Sequence, residues 1–314
     1  MNIQQIEYLI AVDKYKHFGK AAQACFVTQP TLSAMIQKLE EELEVKIFDR
    51  SSHPIRTTDI GMEIVRQAKL IMDSIMELKN KVNLLNNTLA GNLSLGIIPT
   101  ISDSILSNDF FDFLIQNPKI DISIREMNSD NIIKNLKSGE IDAGIISTPY
   151  ENTSEFFSDF LFNEELFVYS SSESPEKPKY INPKELNINK IWLLEEGNCL
   201  RRQTETVCHL QENILKPKNL EYHASNNNTL INLVDRLGGI TIIPELSARK
   251  LCCEQAKNVF QFQKPFPARE ISLIYYKPSY KQRMLDELAN FIKTSLAPKL
   301  NFNQNPKDYS IIKP

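Results

Sequence analysis

Two of the five cysteines, Cys199 and Cys208, lie nine positions apart in the segment IWLLEEGNCLRRQTETVC. A buried strand is predicted to end before Asn198, and a helix is predicted to begin at Asn198 or Cys199. A thiol at a helix N-terminus lies in positive potential, which stabilises the thiolate, and Arg201 and Arg202 add positive charge within one turn. A thiolate attacks the O–O bond of a peroxide and becomes a sulfenic acid, which a nearby second thiol converts to a disulfide.

The spacing of the two cysteines constrains how they can react with each other. If residues 199–208 stay helical, nine steps correspond to about 13 Å of rise and leave the thiols about half a turn out of phase. A disulfide needs Cα atoms within about 7 Å of each other. Either the pair never bonds, or bonding requires the segment to unwind, which would make it a two-state switch with a chemical trigger. The spacing alone equally allows two unrelated buried cysteines.

The remaining cysteines carry a weaker chemical signal. Cys25 is predicted to be a packed core thiol, and the adjacent Cys252 and Cys253 are interpreted as bystanders or as alternative disulfide partners. The sequence has no CxxC motif, and Cys208 with His209 supplies only two of the ligands that a tetrahedral zinc site needs. No metal or other cofactor is therefore predicted. The odd cysteine count also argues against a structural disulfide framework.

The overall composition excludes several classes of protein. The chain has 314 residues, of which 42% are hydrophobic and 24% charged, and its formal net charge is −3. These values are ordinary for a globular protein and exclude a nucleic-acid binder that acts through bulk positive charge. The sequence contains no run of about 18 apolar residues and starts without a secretory-signal pattern, so we expect a cytoplasmic protein with no membrane partner.

Residues 17–43 are predicted to form two helices joined by a tight turn, HFGKAAQACF and TQPTLSAMIQKLEEEL. In the second helix Thr28 is a good N-cap, and Pro30 lies in the first turn, where its missing N–H costs little. An apolar stripe is predicted to be buried, and a polar arc without acids is predicted to face solvent. The stripe comprises Leu32, Ile36, Leu39 and Leu43, and the arc comprises Pro30, Thr31, Ser33, Ala34, Gln37 and Lys38.

The exposed arc suits insertion into the major groove of double-stranded DNA, because Ser, Thr and Gln side chains bond to base edges and phosphates. Between Lys14 and Leu39 there are four lysines and no acidic residue. The following FDRSSHPIRTT segment is predicted to form a wing that grips phosphate, with His17 and His53 near phosphates or at the surface. An ordinary helical hairpin is the alternative. The predicted DNA contacts are Gln29, Pro30, Thr31, Ser33, Gln37, Arg50 and Arg56.

The segment FGKAAQACFVTQPTLSAMIQKLEEELEVKIFDR resembles the winged helix-turn-helix of the LysR-type transcriptional regulators. Glu44 stands where this family usually has glycine, so the local turn departs from the family pattern. Thr58 and Gly61 match the start of the family's linker helix. The other matching residues are Phe18, Ala21, Ala22, Gln29, Pro30, Leu32, Ser33, Ile36, Leu39, Glu40, Leu43, Phe48 and Arg50.

A long helix is predicted after Thr58, because apolar residues recur at steps of three and four in a near-heptad pattern. About 30 helical residues span about 45 Å, which is too long to bury within a domain of this size. A two-chain coiled coil is the predicted partner, and a dimer would present two recognition helices to a split site. Packing against the chain's own C-terminal domain is the alternative. The seam comprises Ile60, Ile64, Ala68, Ile71, Ile75, Leu78, Val82, Leu85 and Leu89.

From Asn92 onward, strand patterns such as NLSLGII, IWLLEEG and EISLIYYK alternate with helices, which is typical of an α/β fold with mostly parallel sheets. The resemblance implies a periplasmic-binding-protein-like regulatory domain of two subdomains, and dimers that pair into tetramers and act with RNA polymerase. The polar C-terminal tail is predicted to be loosely held. The predicted ranges are 1–58 for the all-α winged helix-turn-helix domain, 59–90 for the linker, 91–298 for the regulatory domain (subdomain I about 92–163 and 268–298, subdomain II about 164–267) and 299–314 for the tail.

The segment GNCLRRQTETVC is similar to the redox segment of the OxyR branch, the peroxide-sensing LysR-type regulators. This resemblance implies that Cys199 is the peroxidatic cysteine and Cys208 the resolving cysteine. Asn198 and Arg125 stand where the branch often carries histidine, and asparagine cannot shuttle a proton near neutral pH. Proton delivery to the leaving hydroxide would then rely on Thr100 or water. The implied peroxide pocket comprises Thr100, Asn198, Arg201 and Arg269.

Together these features predict a redox-sensing, DNA-binding transcriptional regulator, such as an activator, and not an enzyme. Peroxide would oxidise Cys199, a disulfide with Cys208 would form, and the oligomer on promoter DNA of oxidative-stress genes would be remodelled. One rival is a LysR-type regulator that binds a small-molecule effector between the regulatory subdomains and has inert cysteines. A second rival, a thiol peroxidase or disulfide reductase, is disfavoured because a reductase would need CxxC and a peroxidase has no use for a DNA-binding module.

Overall fold

The structure, a computed structural model, describes residues 1–52, 54–85, 90–150, 155–171, 180–182, 191–208, 224–276, 281–303 and 306–313. The chain divides into two compact units, Met1–Thr88 and Leu89–Pro314. Across the described ranges, no helix is both long enough and apolar enough to cross a membrane. His53, Leu89 and His209, which figured in the sequence-based predictions, lie outside the described residues.

The N-terminal unit consists of capped helices and a two-stranded wing. Its elements are α1 (Ile3–Tyr15), α2 (Phe18–Ala24), α3 (Gln29–Glu42), β1 (Phe48–Asp49), β2 (Arg56–Thr57) and α4 (Asp59–Leu85). The Thr28 hydroxyl accepts a hydrogen bond from the Thr31 amide at the start of α3. Nδ1 of His17 accepts from two amides in the first turn of α2. These caps confirm the predicted start of α3 and fix the turn between the two helices.

The apolar stripe of α3 lies at the centre of the core of this unit. Leu32, Ile36 and Leu39 are fully buried, as their spacing predicts. The prediction was wrong for Leu43, which is 37% exposed. Because α3 ends at Glu42, Leu43 lies just outside the helix, and its side chain no longer lies on the face that carries the stripe. β1 and β2 pair antiparallel, which confirms the hairpin of the wing.

The helix α4 extends over 27 residues, which corresponds to about 40 Å. Along the predicted seam, Ala68 is buried in the core of the N-terminal unit, whereas Ile60, Ile71 and Leu78 are 53%, 39% and 68% exposed. Large aliphatic side chains that recur on an exposed helix face are typical of an interface with another helix. The described part of the seam therefore favours a further partner for α4 beyond the core of its own unit.

The C-terminal unit is a mixed α/β structure. Its helices are α5 (Pro99–Ile105), α6 (Asn108–Gln116), α7 (Ser129–Ser138), α8 (Cys199–Val207), α9 (Asn227–Leu237), α10 (Glu245–Ala248), α11 (Cys253–Ala256) and α12 (Gln282–Leu296). Its strands are β3 (Gly91–Ile97), β4 (Ile120–Glu126), β5 (Ala143–Thr148), β6 (Phe157–Ser170), β7 (Tyr180–Ile181), β8 (Ile240–Pro244), β9 (Val259–Phe262), β10 (Phe266–Tyr275) and β11 (Tyr309–Ile311). Short 3₁₀ turns lie between α12 and β11.

The sheet is mixed, which corrects the prediction of mostly parallel strands. The strand order is β4-β3-β5-β10-β6-β9-β7, with β8 on β6 and β11 on β10. β3 pairs parallel with β4 and β5, but β10 pairs antiparallel with β5 and β6. The chain leaves the first half of the unit on β6 and returns on β10, so these two long strands must run in opposite directions. Ile191 and Leu194 of the IWLLEEG segment form isolated bridges, not the predicted strand.

Three apolar clusters lie along the sheet of the C-terminal unit, and two of them, the first and second cores, contain residues of α8. The first core includes Ile97 on β3 and Ile145 on β5 and is covered by α5, α7 and α12. The second core includes Leu166 and Val168 on β6 and residues of α8, α9, β8 and β9. β6 contributes to both cores, because its Leu161 packs in the first. The long strand therefore connects the two cores.

The tail after Pro298 is part of the fold, contrary to the prediction of a loosely held segment. Leu300 is buried, and β11 pairs parallel with the first residues of β10. The Ile312 amide donates a hydrogen bond to the Ala268 carbonyl at 2.7 Å. A strand of three residues gives no measurable periodicity, so the polar composition of the tail concealed it.

A strained turn follows α3, where Glu44 has φ = +55°, in the left-handed region that favours glycine. We expect Glu44→Gly to raise the free energy of unfolding of the N-terminal unit by about 0.5–1 kcal/mol, because relief of the strain exceeds the added entropy of the unfolded chain. Lys38→Gly, at an exposed interior position of α3, should lower it by about 1 kcal/mol. Hydrogen exchange of N-terminal peptides in increasing urea measures both effects. Equal destabilisation by the two variants would contradict the strain at Glu44.

Candidate functional site

Cys199 is the first residue of α8 and is almost completely buried. Its Sγ contacts Ser129 Oγ, at the first position of α7, and lies 4.0 Å from the Ser147 carbonyl oxygen on β5. Gly197, at φ = +83°, allows the backbone before Cys199 to lie close to Asn128, the residue before Ser129. A Cβ at position 197 would lie 2.8 Å from Asn128 Nδ2. The predicted helix start at Cys199 is confirmed, and it places the thiol against the first core.

Burial raises the pKa of the Cys199 thiol above its ordinary value. The contact with Ser129 and the charge of Arg269 lower this pKa but do not cancel the effect of burial. The sequence predicted a stabilised thiolate from the helix N-terminus and neighbouring arginines, and that prediction left burial out. The resting group is therefore a thiol, and Ser129 and Arg269 are the groups that reduce the cost of ionising it.

A buried chain of polar groups runs from β6 through β10 to α5. Arg269 and Glu164 are fully buried and form an ion pair, with Nη2 at 2.8 Å and Nε at 2.9 Å from Glu164 Oε2. Arg269 Nη1 donates to Thr100 Oγ1 at 2.9 Å, and the Leu246 amide donates to Glu164 Oε1 at 2.7 Å. The structure thus brings Thr100 and Arg269 together, and the charge of Arg269 acts on Cys199.

Asn198 and Arg201, predicted for the same pocket, make hydrogen bonds to residues that precede α8 or belong to it. The Arg201 guanidinium donates to the Glu205 carboxylate at 2.9 Å and to the Leu194 carbonyl at 3.2 Å. The buried Asn198 amide donates to the Glu195 carbonyl at 3.1 Å. Two steps along a helix rotate a side chain by about 200°, so a thiol that faces the core leaves Arg201 on the opposite side. The structure does not bring Arg201 to the thiol.

The other two arginines considered from the sequence lie on β4 and α8. Arg125 is exposed on β4. The Arg202 guanidinium carbon lies 5.2 Å from the centroid of the Tyr150 ring, and the Tyr150 hydroxyl donates to Asp130 Oδ1 at 2.5 Å. Burial and the Asp130 hydrogen bond raise the pKa of Tyr150, so this hydroxyl remains a donor. The stacked pair attaches α8 to the residues that follow β5.

Cys208 lies at the other end of α8 and in a different core from Cys199. It caps the C-terminus of α8 and is buried in the second core with Leu200 and Leu230. Burial raises the pKa of Cys208 to about 12. An intact helix separates two such positions by about 13 Å, and a disulfide needs Cα atoms within about 7 Å. The two thiols can therefore bond only if α8 unwinds.

The other three cysteines differ from this pair in exposure. Cys25 is half-buried, and burial raises its pKa, whereas Cys252 and Cys253 are exposed. Cys252 Sγ lies 3.5 Å from Gln255 Oε1 on the same short helix. Among the side chains that the structure describes, no group of three or more His, Cys, Asp or Glu residues could hold a metal ion.

The predicted recognition arc of α3 lies on the surface. Gln29, Pro30, Thr31 and Gln37 are exposed, and Ser33 is half-buried. A concave pocket of about 650 Å³ lies beside the start of α3. It is lined by Tyr15, Lys16, His17, Phe18, Lys20, Gln29, Ser33, Arg50, Pro54 and Ile55. The cations of this lining and the polar arc form one continuous surface with the chemistry that a phosphate backbone requires.

The two arginines of the wing differ in their contacts within the N-terminal unit. Arg56 is exposed on β2. Arg50 Nη2 lies 3.0 Å from buried Glu40 Oε2, its Nη1 lies 3.4 Å from Ser33 Oγ, and its guanidinium carbon lies 5.0 Å from the centroid of the Phe18 ring. Arg50 therefore fastens the wing to α2 and α3. Both arginines are exposed to solvent, and the Arg50 guanidinium also pairs with Glu40.

Three groups at the redox site were not identified from the sequence. Ser129 and Gln203 carry no signal beyond their positions, although Gln203 lies one helical turn after Cys199 and hence on the same face. Gln203 Nε2 donates to Ser147 Oγ at 2.9 Å and to the Ile312 carbonyl at 3.1 Å. Glu164 did carry a signal, because a carboxylate inside the apolar strand LFNEELFVYS requires a buried cation.

Two family descriptions cover most of the chain. Residues 3–62 match the description "Bacterial regulatory helix-turn-helix protein, lysR family", and residues 86–297 match "LysR substrate binding domain". The chain therefore belongs to the LysR family of bacterial regulators. The winged helix-turn-helix of the first unit corresponds to the first match, and the α/β structure of the second unit corresponds to the second match.

Individual relatives place the chain more narrowly. The hydrogen peroxide-inducible genes activator of Haemophilus influenzae is 30% identical over 293 residues, which cover 93% of this chain and 96% of that protein. The DNA-binding transcriptional dual regulator OxyR of Escherichia coli K12 is 30% identical over 94% of this chain and 96% of its own length. Full-length OxyR from Pseudomonas aeruginosa superposes with a TM-score of 0.79 at 27% identity, over 95% of this chain and 97% of that one. Within the LysR family, the chain lies in the OxyR branch.

Exposure and pKa predict the order in which the thiols react with iodoacetamide. Near neutral pH, the peptide with Cys252 and Cys253 should be alkylated first, and Cys199 and Cys208 should react at least about tenfold more slowly, because burial excludes the reagent and disfavours the thiolate. Peptide mass spectrometry measures each rate, and urea-unfolded protein serves as the control in which the rates converge. Rapid labelling of Cys199 in the folded, reduced protein would contradict the protection of this thiol by burial.

Proposed function

We propose that this protein is a peroxide-responsive transcription activator in which Cys199 and Cys208 form the switch. The observation that carries the proposal is that one nine-residue helix holds the two buried thiols at its opposite ends, in two different cores. A covalent bond between them changes the fold locally, which is what a sensor needs. The names of the relatives, hydrogen peroxide-inducible genes activator and OxyR, support the same function.

The first chemical step is oxidation of Cys199. The thiolate sulfur attacks one oxygen of hydrogen peroxide, the O–O bond breaks, and Cys199 becomes a sulfenic acid while hydroxide leaves and takes up a proton. Ser129, in contact with Sγ, donates to the anionic sulfur, and the charge of Arg269 stabilises it. The Thr100 hydroxyl accepts from Arg269, which leaves its own proton available for a hydrogen bond to the departing oxygen. These contacts supply the assistance that a histidine at position 198 would otherwise provide.

The second step forms the disulfide. The Cys208 sulfur attacks the sulfenic sulfur of Cys199, the S–O bond breaks, and hydroxide leaves as water after protonation. In total, two thiols and one hydrogen peroxide give one disulfide and two waters. Since α8 must unwind first, Leu200 and Val207 leave the second core together with Cys208. The chemical signal is thereby converted into a change of packing.

The transcriptional output follows from the winged module and from self-association. We infer that α3 inserts into the major groove of promoter DNA and that the exposed seam of α4 pairs two chains. On α6, Phe111 and Ile115 are 52% and 75% exposed, which supports a further contact between regulatory domains in a dimer or tetramer. Remodelling of this oligomer on oxidation would alter its footprint and its contact with RNA polymerase. Such a regulator acts on promoters in the cytoplasm.

Substitution of the two cysteines tests the redox proposal. We expect Cys199→Ser to bind promoter DNA with wild-type affinity and to lose the peroxide-dependent shift of the footprint, because no sulfenic acid can form. Cys208→Ser should accumulate a sulfenic acid that dimedone traps, and Cys252→Ser should behave as wild type. Footprinting and peptide mapping after a stoichiometric pulse of hydrogen peroxide measure these outcomes. If both Cys199 and Cys208 remain reduced after the pulse, a regulator that responds to a bound small molecule becomes the better explanation.

The recognition surface predicts two different effects on DNA binding. Gln37→Ala should reduce the preference for the cognate promoter by about 1–3 kcal/mol, because it removes a base-edge donor from the exposed arc. Arg56→Ala should weaken binding to all sequences and reduce the slope of log K against log salt by about 1 for each subunit bound. Lys119→Ala, an exposed cation of the C-terminal unit, is the control. A uniform loss with Gln37→Ala would place this residue outside the base contacts.

A further inference from the structure

The C-terminal strand β11 lies beside the residues that position α8. β11 pairs parallel with β10 from Phe266 to Ala268, and the Ile312 amide donates to the Ala268 carbonyl at 2.7 Å. Arg269, which follows Ala268 directly, is the arginine of the buried ion pair whose charge acts on Cys199. The end of the chain therefore borders the redox site.

The redox helix reaches this strand through Gln203, which is completely buried. Its Nε2 donates to the Ile312 carbonyl at 3.1 Å and to Ser147 Oγ at 2.9 Å. Ser147 also presents its carbonyl to the Cys199 thiol. One side chain in the middle of α8 thus joins β11 to the strand that lines the thiol.

Apolar packing provides a second connection between the tail and α8. The Ile312 side chain packs against the second core, to which α8 contributes Leu200 and Val207 and which also holds Cys208. Ile312 therefore contacts α8 through its carbonyl and through the core that its side chain shares with the helix. Any rearrangement that removes Leu200, Val207 and Cys208 from this core also removes part of the environment of Ile312.

The beginning of β11 is held by contacts that do not involve α8. The Tyr309 hydroxyl donates to Glu165 Oε2 on β6 at 3.1 Å, and Lys264 Nζ lies 2.6 Å from Asp308 Oδ2. These contacts would survive unwinding of α8, whereas the hydrogen bond from Gln203 to the Ile312 carbonyl and the packing of Ile312 near Leu200 and Val207 would not. The attachment of the tail is therefore divided between a constant part at 308–309 and a part at 312 that depends on α8.

We propose that residues 309–312 are a latch that stabilises the reduced state and is released at Ile312 when α8 unwinds. This inference rests on the proposed function, since the disulfide is what removes the helix. Coupling between two structural elements is reciprocal: a tail that stabilises helical α8 makes closure of the disulfide less favourable, and closure of the disulfide loosens the tail. The tail thereby sets how readily the first oxidation product proceeds to the disulfide.

Hydrogen–deuterium exchange on the full-length protein tests the release directly. After one equivalent of hydrogen peroxide, the C-terminal peptide that contains Ile312 should exchange about tenfold faster. The reason is that the hydrogen bond from the Ile312 amide to the Ala268 carbonyl opens more often. A peptide from α12, in the first core, is the internal control and should not change. Cys199→Ser treated in the same way should show slow exchange at both places. If peptide mapping finds the disulfide but exchange at Ile312 is unchanged, the latch is wrong and the proposed function stands.

A pair of tail variants tests the coupling in the opposite direction. Ile312→Ser removes the apolar contact, and we expect the step from sulfenic acid to disulfide to become about fivefold to tenfold faster. Lys313→Ala, at the neighbouring exposed position, should react at the wild-type rate. Stopped-flow mixing with peroxide followed by acid quench and mass analysis gives the rate, and circular dichroism confirms that each variant is folded. Equal rates in a folded Ile312→Ser would overturn the latch, and absence of any disulfide in the wild type would overturn the proposed function together with it.

Discussion

The buried ion pair between Arg269 and Glu164 is the interaction on which the chemistry of the C-terminal unit depends. Two charges removed from water are tolerated when they are paired and further hydrogen-bonded. Here Nε and Nη1 of Arg269 donate to Glu164 and Thr100, whereas Nη2 lies 2.8 Å from Glu164 Oε2 without making a hydrogen bond. Glu164 lies on β6 and Arg269 on β10, the two strands that carry the chain between the cores, and their pair fixes the register at the crossing. The same guanidinium holds Thr100 and acts on Cys199. Truncation of either partner would leave an uncompensated charge at the centre of the site.

This arrangement resolves a conflict in the requirements of a thiol sensor. A thiolate at the surface would react quickly with many oxidants, whereas a thiol buried without polar neighbours would not react at all. Burial raises the pKa of Cys199, and Ser129 with Arg269 offsets part of the cost of ionisation. In the proposed sensor, the rate of oxidation would therefore depend on how far these two groups offset burial.

Features that depend on local spacing could be predicted from the sequence residue by residue. The buried stripe of α3, its Thr28 cap, the wing hairpin and the start of α8 depend on neighbours within a few positions. The features that were missed depend on distant pairs: Glu164 and Arg269 are 105 positions apart, and Gln203 and Ile312 are 109 apart. The ion pair of Arg50 with buried Glu40, ten positions earlier and on another element, was also not predicted. Periodicity reports which face of a helix is buried, but not which groups bury it.

The location of Cys199 and Cys208 at the two ends of α8 has a consequence for the proposed switch. In that switch the loss of the nine-residue helix is part of the path to the disulfide, so the threshold for switching would depend on local stability as well as on the reactivity of sulfur. Warming frays short helices and lowers this threshold, whereas solutes that favour compact states raise it. A cell near its upper growth temperature would therefore reach a given oxidised fraction at a lower peroxide concentration, and the same helix would register heat and oxidant together.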